Sequence, residues 1–484
     1  MPAASLWMSL FTTQKAERRA LREQVCAAIR QALHGGHLQH DERLPSSRQL
    51  ALDLGVSRVT VEGAYGQLEA EGYLRRQVGG GTFVAFASAR KAISAPKVKA
   101  APARLSGRGA AIVAGGGCRD TRVPQAFSGA SPDLEAFPLE TWHKLGNRLS
   151  RRGGRDLLGF GDPQGFAPLR NAVAHYLNQS RGVHCSAEQI LILTSSQQAL
   201  TLIATLLLDE GDAAWVEDPC YEGARTAFAS VGARLVPIPV DADGMDIGLA
   251  PPGPAPRLIY LTPSHQYPTG ASLSLARRMD MLELARERGA WIVEDDYDSE
   301  FHYDGRPLPS LQGLDRHGRV LYVGTFSKVL FPALRLAYLV LPPSLIEAFT
   351  LARTVQDGHT TQWTQAVTTA FIEDGHFAAH LRQMRQLYRS RRDLLREELD
   401  KRTRGWLEIL PTSGGLKMAV HLPQGKEEVY TRRAAQLGIV TPGLSKLYLG
   451  PARDGWLLGF SALDNAAIRH GALQLARVAE AKSR

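Results

Sequence analysis

Cysteine is scarce in this chain of 484 residues. Cys26, Cys118, Cys185 and Cys220 are scattered and form no CxxC pair, which argues against a disulfide framework or a thiolate zinc site and for a reducing compartment. No apolar run approaches the length of a membrane helix. Leu6–Phe11 is apolar, but it has no basic leader and no cleavage pattern, so no secretory signal is expected and the cytoplasm is the expected location. Across the last 360 residues neither charge prevails, with 39 Lys/Arg against 39 Asp/Glu. The net charge of +9 arises at the front: residues 1–87 carry 10 basic against 8 acidic side chains, and residues 88–124 carry 8 against 1. A polyanion could use that field, although a solvated basic tether would show the same composition. The length exceeds a single core, so at least two folding units are expected.

Within residues 1–87 the spacing of Leu21, Val25, Ala28, Ile29 and Ala32 predicts an amphipathic helix over Arg18–Leu33. Ser46 followed by Gln49 predicts a capping box opening a short helix that ends at Gly55. Ser57 caps a second helix, Arg58–Glu71, with Val61, Ala64, Tyr65 and Leu68 on one face. Tyr73–Val78, a run of three glycines and Thr82–Val84 predict a hairpin. His34, His37 and His40 are spaced by three, but they straddle Gly35-Gly36 at a helix end and no carboxylate pattern supports a metal.

This front resembles the winged helix-turn-helix domain of GntR-family regulators over residues 15–85. The resemblance is carried by Leu44-Pro45-Ser46-Ser47-Arg48, Gly55-Val56-Ser57-Arg58-Val59-Thr60-Val61 and Leu68-Glu69-Ala70-Glu71-Gly72-Tyr73-Leu74. It implies that double-stranded operator DNA is met by Arg48 and by Ser57, Arg58 and Thr60 at the start of the second helix. The wing, with Arg75, Arg76 and Gly80, would approach the backbone or minor groove. Glu62 stands where some relatives carry a basic residue, so base preference does not transfer.

Residues 88–124, rich in Ala, Pro, Gly and basic side chains, show no lasting periodicity and are expected to form a flexible linker. From 125 to 484, apolar strand candidates alternate with helices at 197–208, 221–231, 274–288 and 344–373. The strands are Ile190–Leu193, Ala214–Glu217, Arg234–Ile238, Leu258–Leu261, Trp291–Glu294, Val320–Gly324 and Ala337–Leu341. This is the pattern of an α/β fold with a mostly parallel sheet, and about 376–484 is expected to form a smaller lobe.

Chemistry-bearing residues gather at the expected strand ends. Thr325-Phe326-Ser327-Lys328 follows one strand, Glu294-Asp295-Asp296-Tyr297-Asp298 closes another, and Arg335 stands just downstream. Open α/β sheets bind ligands there. An amine, a carboxylate, a phenol and a cation together suit pyridoxal 5′-phosphate. Thr194–Leu200 leaves a strand and opens a helix, which predicts a phosphate site. Asp296, Asp298 and Glu300 could hold a hard cation, although such a run is more often solvated or capping.

Taken together, these motifs resemble the MocR/GabR subfamily of GntR regulators over nearly the whole chain: a winged helix fused to a fold-type I aminotransferase-like domain. The resemblance implies that Lys328 forms the Schiff base with pyridoxal phosphate, Asp295 pairs with the pyridine nitrogen and Tyr297 bonds the ring oxygen. It implies that Tyr221 stacks on the ring and that Ser195, Ser196, Gln197, Ser327 and Arg335 hold the phosphate. Ser195 stands where glycine is common. His265, in the loop Thr262–Gly270, and Arg453 would meet the effector. Aminotransferases place an arginine at about Leu457, so the carboxylate clamp rests on Arg453 here. The implied function is a regulator, homodimeric through the aminotransferase-like domain, that senses an amino compound by aldimine exchange. A working aminotransferase with a DNA-binding head, or a sensor of pyridoxal phosphate governing vitamin B6 synthesis, remains open.

Overall fold

The computed structural model describes residues 4–14, 20–77, 79–86, 105–114, 126–129, 131–151, 154–305, 308–403 and 405–480. They fall into two compact units, Met1–Arg104 and Leu105–Arg484. Most of the stretch read as a linker, 88–104 and 115–124, lies outside the described residues.

In the first unit the chain forms α1 (Ala4–Gln14), α2 (Leu21–His34), α3 (Ser47–Leu54) and α4 (Arg58–Ala70), then the antiparallel strands β1 (Leu74–Gln77) and β2 (Gly81–Val84). Val61, Ala64, Tyr65 and Leu68 of α4 are buried as their spacing requires, against Val25, Ile29 and Leu50. Helix α1 is an addition to the sequence reading: Trp7 and Phe11 enter the same core. Both serine caps form, Ser46 accepting from the amide of Gln49 and Ser57 from that of Thr60. Only half of the capping box exists, because the Gln49 side chain donates to Asp53 instead. Gly55 ends α3 in the left-handed region (φ 66°), which glycine enters without strain.

The second unit begins with α5 (Gly107–Ala114), inside the stretch expected to lack structure. Ser106 caps it through the amide of Gly109, and none of its residues is buried. Next come α6 (Leu139–Arg151), α7 (Ala167–Ser180), β3 (Ile190–Leu193) and α8 (Ser196–Leu207). They are followed by β4 (Ala213–Asp218), α9 (Glu222–Ser230), β5 (Arg234–Asp241), β6 (Gly244–Met245), β7 (Leu258–Leu261) and α10 (Leu275–Arg288). Then come β8 (Trp291–Asp296), the one-turn α11 (Leu311–Leu314), β9 (Val320–Thr325) and β10 (Ala337–Val340). The strands make one sheet in the order β3-β10-β9-β8-β7-β4-β5-β6. β5-β4-β7-β8-β9 are parallel, whereas β10 runs antiparallel to both β3 and β9, and β6 antiparallel to β5. β3, β7, β9 and β10 are buried at every residue, as expected of strands covered on both faces.

The helix expected over 344–373 is two, α12 (Ile346–Gln356) and α13 (Gln362–Glu373). Gly358 at φ 76° lies between them and cannot continue an α-helix. The C-terminal lobe holds α14 (His376–Thr403), β11 (Glu408–Ile409), β12 (Lys417–His421), α15 (Glu427–Gln436), β13 (Gly455–Gly459) and α16 (Asn465–Glu480), with β11-β12-β13 antiparallel. Among the described residues no helix is long and apolar enough to cross a membrane.

Candidate cofactor site and DNA-binding face

Parallel pairing of β8 with β9 sets Asp295 opposite Val323 and Asp296 opposite Gly324. Asp295 and the turn carrying Lys328 therefore leave the sheet at the carboxyl ends of adjacent strands. Lys328 is half-buried in a turn closed by the Leu330 amide to Phe326 carbonyl bond, 2.8 Å, and by the Phe326 amide to Leu336 carbonyl bond, 3.0 Å. The amide of Ser327 donates to Thr325 Oγ1. Arg335 ends the same loop at φ 52°, a left-handed conformation that costs a non-glycine residue of order 1 kcal/mol. Its exposed guanidinium makes no ion pair among the described residues. Gly324 is required behind this loop, because a Cβ there would stand 2.3 Å from the ring of Tyr338.

The two neighbouring aspartates meet opposite fates. Burial alone would raise Asp296, but Arg181 at 3.0 Å and the hydroxyl of Tyr322 outweigh it and hold the carboxyl below its usual range. Asp295 has no such cation in contact. Burial pushes it up to about 7, with Asp296 and Asp298 adding to the rise and the Tyr260 hydroxyl and Lys417 opposing it. Tyr260 donates to Asp295 Oδ2 at 2.9 Å. Asp295 Oδ1 is buried without a hydrogen-bond partner. An orphaned carboxylate oxygen is costly unless a donor arrives, and a protonated pyridine nitrogen is such a donor.

Ser195 caps α8 through the amide of Gln198, leaving Ser196 and Gln197 in the first turn, where amides and helix dipole favour a phosphate. The Gln197 side chain donates to the carbonyl of Gly223. A Cβ on Gly223 would lie 2.2 Å from Gln197 Oε1 and 2.4 Å from the Tyr221 ring, so glycine lets these groups converge. The Tyr221 ring meets Tyr267 edge-on at 5.5 Å, and Tyr267 meets Tyr297 at 6.1 Å. Tyr297 donates its hydroxyl to the carbonyl of His265. The lobe is tied to this end of the sheet, where Asp218 accepts from the amides of Leu449 and Gly450.

The two expected effector residues have protein partners. The His265 side chain is buried and turned to Asp298 (2.9 Å) and His302, so that only its backbone carbonyl meets Tyr297. It borders a cavity of about 360 Å³ with Ser264, His302 and Asp304. Arg453 is 62% exposed, with Glu408 at 3.8 Å. Each acid of the run after β8 has a protein partner, Asp296 in Arg181, Asp298 in His265 and Glu300 in Tyr176, although Asp296 Oδ1 and Asp298 Oδ2 accept no hydrogen bond among the described residues. Sequence reasoning missed Tyr260, hidden in an apolar strand, and Lys417, whose ammonium lies over both Tyr267 and Tyr297.

On the first unit, Ser57, Arg58 and Arg48 are exposed. Arg58 Nε donates to Glu62 Oε1 at 2.8 Å, and Ser47 donates to the same oxygen. The unexpected acid thus orients the arginine. In the wing, Arg75 pairs with Asp41 and Arg76 with Glu69, contacts that a phosphate would have to displace. The Gly80 amide donates to the Gln77 carbonyl and closes the turn. Arg58→Ala is expected to weaken operator binding by about 1–3 kcal/mol and relax sequence preference if the side chain reads a base edge. Contact with phosphate alone predicts a loss shared by all sequences, with the salt slope reduced by about one. Fluorescence anisotropy on matched and scrambled duplexes separates these, and unchanged binding removes Arg58 from the interface.

The family "Aminotransferase class I and II" matches residues 128–457, and the family "Bacterial regulatory proteins, gntR family" matches residues 21–84. The probable rhizopine catabolism regulatory protein MocR of Rhizobium meliloti is 39% identical over 460 residues, covering 93% of this chain and 92% of that protein. The chain belongs to the MocR-type regulators of the GntR family. Another relative is the HTH-type transcriptional regulator TauR of Rhodobacter capsulatus, 32% identical over 480 residues, covering 95% of this chain and 96% of TauR. Among solved structures, LysN, the α-aminoadipate aminotransferase of Thermus thermophilus complexed with N-(5′-phosphopyridoxyl)-L-leucine, is similar with TM-score 0.68 and 31% identity. It covers 73% of this chain and 91% of LysN. Like other MocR-type regulators, the protein joins a DNA-binding winged helix to an aminotransferase fold whose cofactor is pyridoxal phosphate.

Proposed function

We propose that this MocR-type regulator works in the cytoplasm as a homodimer, through its aminotransferase-like domain, and adjusts operator affinity to an amino compound received at the cofactor site. Residues 88–124 would tether the winged helix of 1–87 to the sensing domain of 125–484. The observation that carries the reading is the buried, unpartnered Oδ1 of Asp295 at the strand end beside the Lys328 turn, in a chain that begins with a DNA-binding head. When bound, pyridoxal phosphate supplies an electron-withdrawing ring and an aldehyde carbon that condenses with amines. Lys328 would supply the amine that holds that carbon, and Asp295 would keep the pyridine nitrogen protonated. Ser195, Ser196, Gln197, Ser327 and Arg335 would anchor the phosphate, Tyr221 would stack on the ring and Tyr297 would bond the ring oxygen.

The test measures operator affinity of cofactor-loaded protein with and without amino compounds at fixed salt, beside steady-state amine transfer to a keto acid. A shift of about 5–150-fold, the usual range of allosteric coupling, with negligible turnover is the expected result. Sustained turnover of about 1 per second or faster without a shift would make the protein an enzyme. A shift produced by pyridoxal phosphate alone would make the cofactor itself the signal.

A further inference from the structure

Aminotransferases clamp their substrate's carboxylate with an arginine near the final strand of the lobe. Here β13 carries Leu457 at that place, and Arg453 is exposed beside Glu408. The neighbouring strand supplies another cation. Lys417 opens β12, opposite Gly459 and two residues before Ala419, the partner of Leu457. Gly459 brings no side chain to that pair, and the backbone of Gly129 packs where its Cβ would stand. The half-buried ammonium lies 3.7 Å from the ring centre of Tyr267 and 4.8 Å from that of Tyr297. Two aromatic faces hold a cation in place with little loss of its charge. Tyr297 lies two residues beyond Asp295 and Tyr267 lies against Tyr221, so this cation stands among the residues assigned to the cofactor ring. Its field is felt at Asp295, whose carboxyl it helps to ionise. Phosphate binding already has the first turn of α8 and Arg335.

We infer that Lys417 determines effector specificity: its ammonium receives an acidic group of the amino compound, which makes the effector class amino acids rather than simple amines. The inference rests on the proposed sensing of an amino compound at this site. The side chain touches the effector away from the reacting carbon, so it selects and orients and leaves the covalent exchange to Lys328.

The experiment uses full-length, cofactor-stripped protein and two pairs of reduced analogues, with binding read by calorimetry. One pair is N-(5′-phosphopyridoxyl)glycine and N-(5′-phosphopyridoxyl)methylamine, which differ only by a carboxylate. The other is made from β-alanine and ethylamine, with the acid one bond further out. Wild type is expected to bind the acid member of at least one pair about tenfold more tightly, the weight of one charge-assisted hydrogen bond. Lys417→Met keeps the aliphatic contact with both rings and is expected to bring the affinity ratio within each pair to about one. A change acting through Asp295 is shared by both members and cancels in that ratio, and an unchanged circular dichroism spectrum shows an intact fold. Lys417→Arg is expected to keep the preference. A Lys417→Met protein with the wild-type preference, or a wild type with none, overturns the role of Lys417 and leaves the sensing reading standing. Wild type that binds none of the four analogues removes the cofactor-site reading and this inference with it.

Discussion

Lys328→Ala is expected to abolish the response of operator binding to an amino compound while leaving the intrinsic DNA affinity of the winged helix unchanged. The substitution removes the amine that holds the cofactor covalently, but Asp295, Tyr297, Arg335 and the first turn of α8 stay in place. Pyridoxal phosphate should still bind, more weakly and without a covalent link. Borohydride treatment of wild type should fix the cofactor to the peptide containing Lys328, and the variant should incorporate none. Effector-dependent affinity shifts of about 5–150-fold in wild type should collapse to about one in the variant. The head has its own core of Val25, Ile29, Leu50, Val61 and Leu68, so its fold does not depend on that lysine. A variant that responds like wild type would show that covalent exchange is not the trigger. Loss of DNA binding without any effector would mean that the lysine linkage maintains the DNA-binding arrangement itself.

Asp295→Asn should move two measurements in opposite directions. The native carboxyl titrates at about 7 because it is buried, against an ordinary value of 3.8. Between those values the folded protein keeps a proton that the unfolded chain has released. Asp295 therefore costs stability progressively as pH rises from about 4 to 7, and the whole cost is present above 7. Asparagine is neutral and can accept the Tyr260 hydroxyl. Cofactor-free Asp295→Asn should be more stable than wild type by about 2–4 kcal/mol at pH 8, and little different at pH 4. Its affinity for pyridoxal phosphate should fall about 10–100-fold, because a charge-assisted hydrogen bond to the ring nitrogen is lost. Thermal midpoints at the two pH values and a cofactor titration read both effects. Unchanged cofactor affinity would remove Asp295 from the ring nitrogen, and unchanged stability at pH 8 would show that its charge is compensated.

Local patterns carried much of this protein into view. The helices of the head follow from apolar spacing and from serine caps that compete for orphan amides, signals contained within a few residues. Ile190–Leu193, Leu258–Leu261 and Val320–Thr325 read as buried strands because sheets covered on both faces demand continuous apolar runs. Lys328 and Asp295 were legible because each closes such a run. Three-dimensional pairing decided the rest. That β10 runs antiparallel depends on neighbours distant in sequence, whereas Gly358, which divides one expected helix into two, acts through its own backbone conformation. Adjacent Asp295 and Asp296 are equivalent as letters. Arg181, 115 residues before Asp296, neutralises one and leaves the other without a cation in contact, its carboxyl pushed up to about 7 by burial. His265 turned away toward Asp298 and Arg453 toward solvent and Glu408, while Lys417 came to rest on two tyrosine rings. Charge and identity belong to the sequence, but which cation faces which ring is set by strand register and by the docking of the lobe on the sheet.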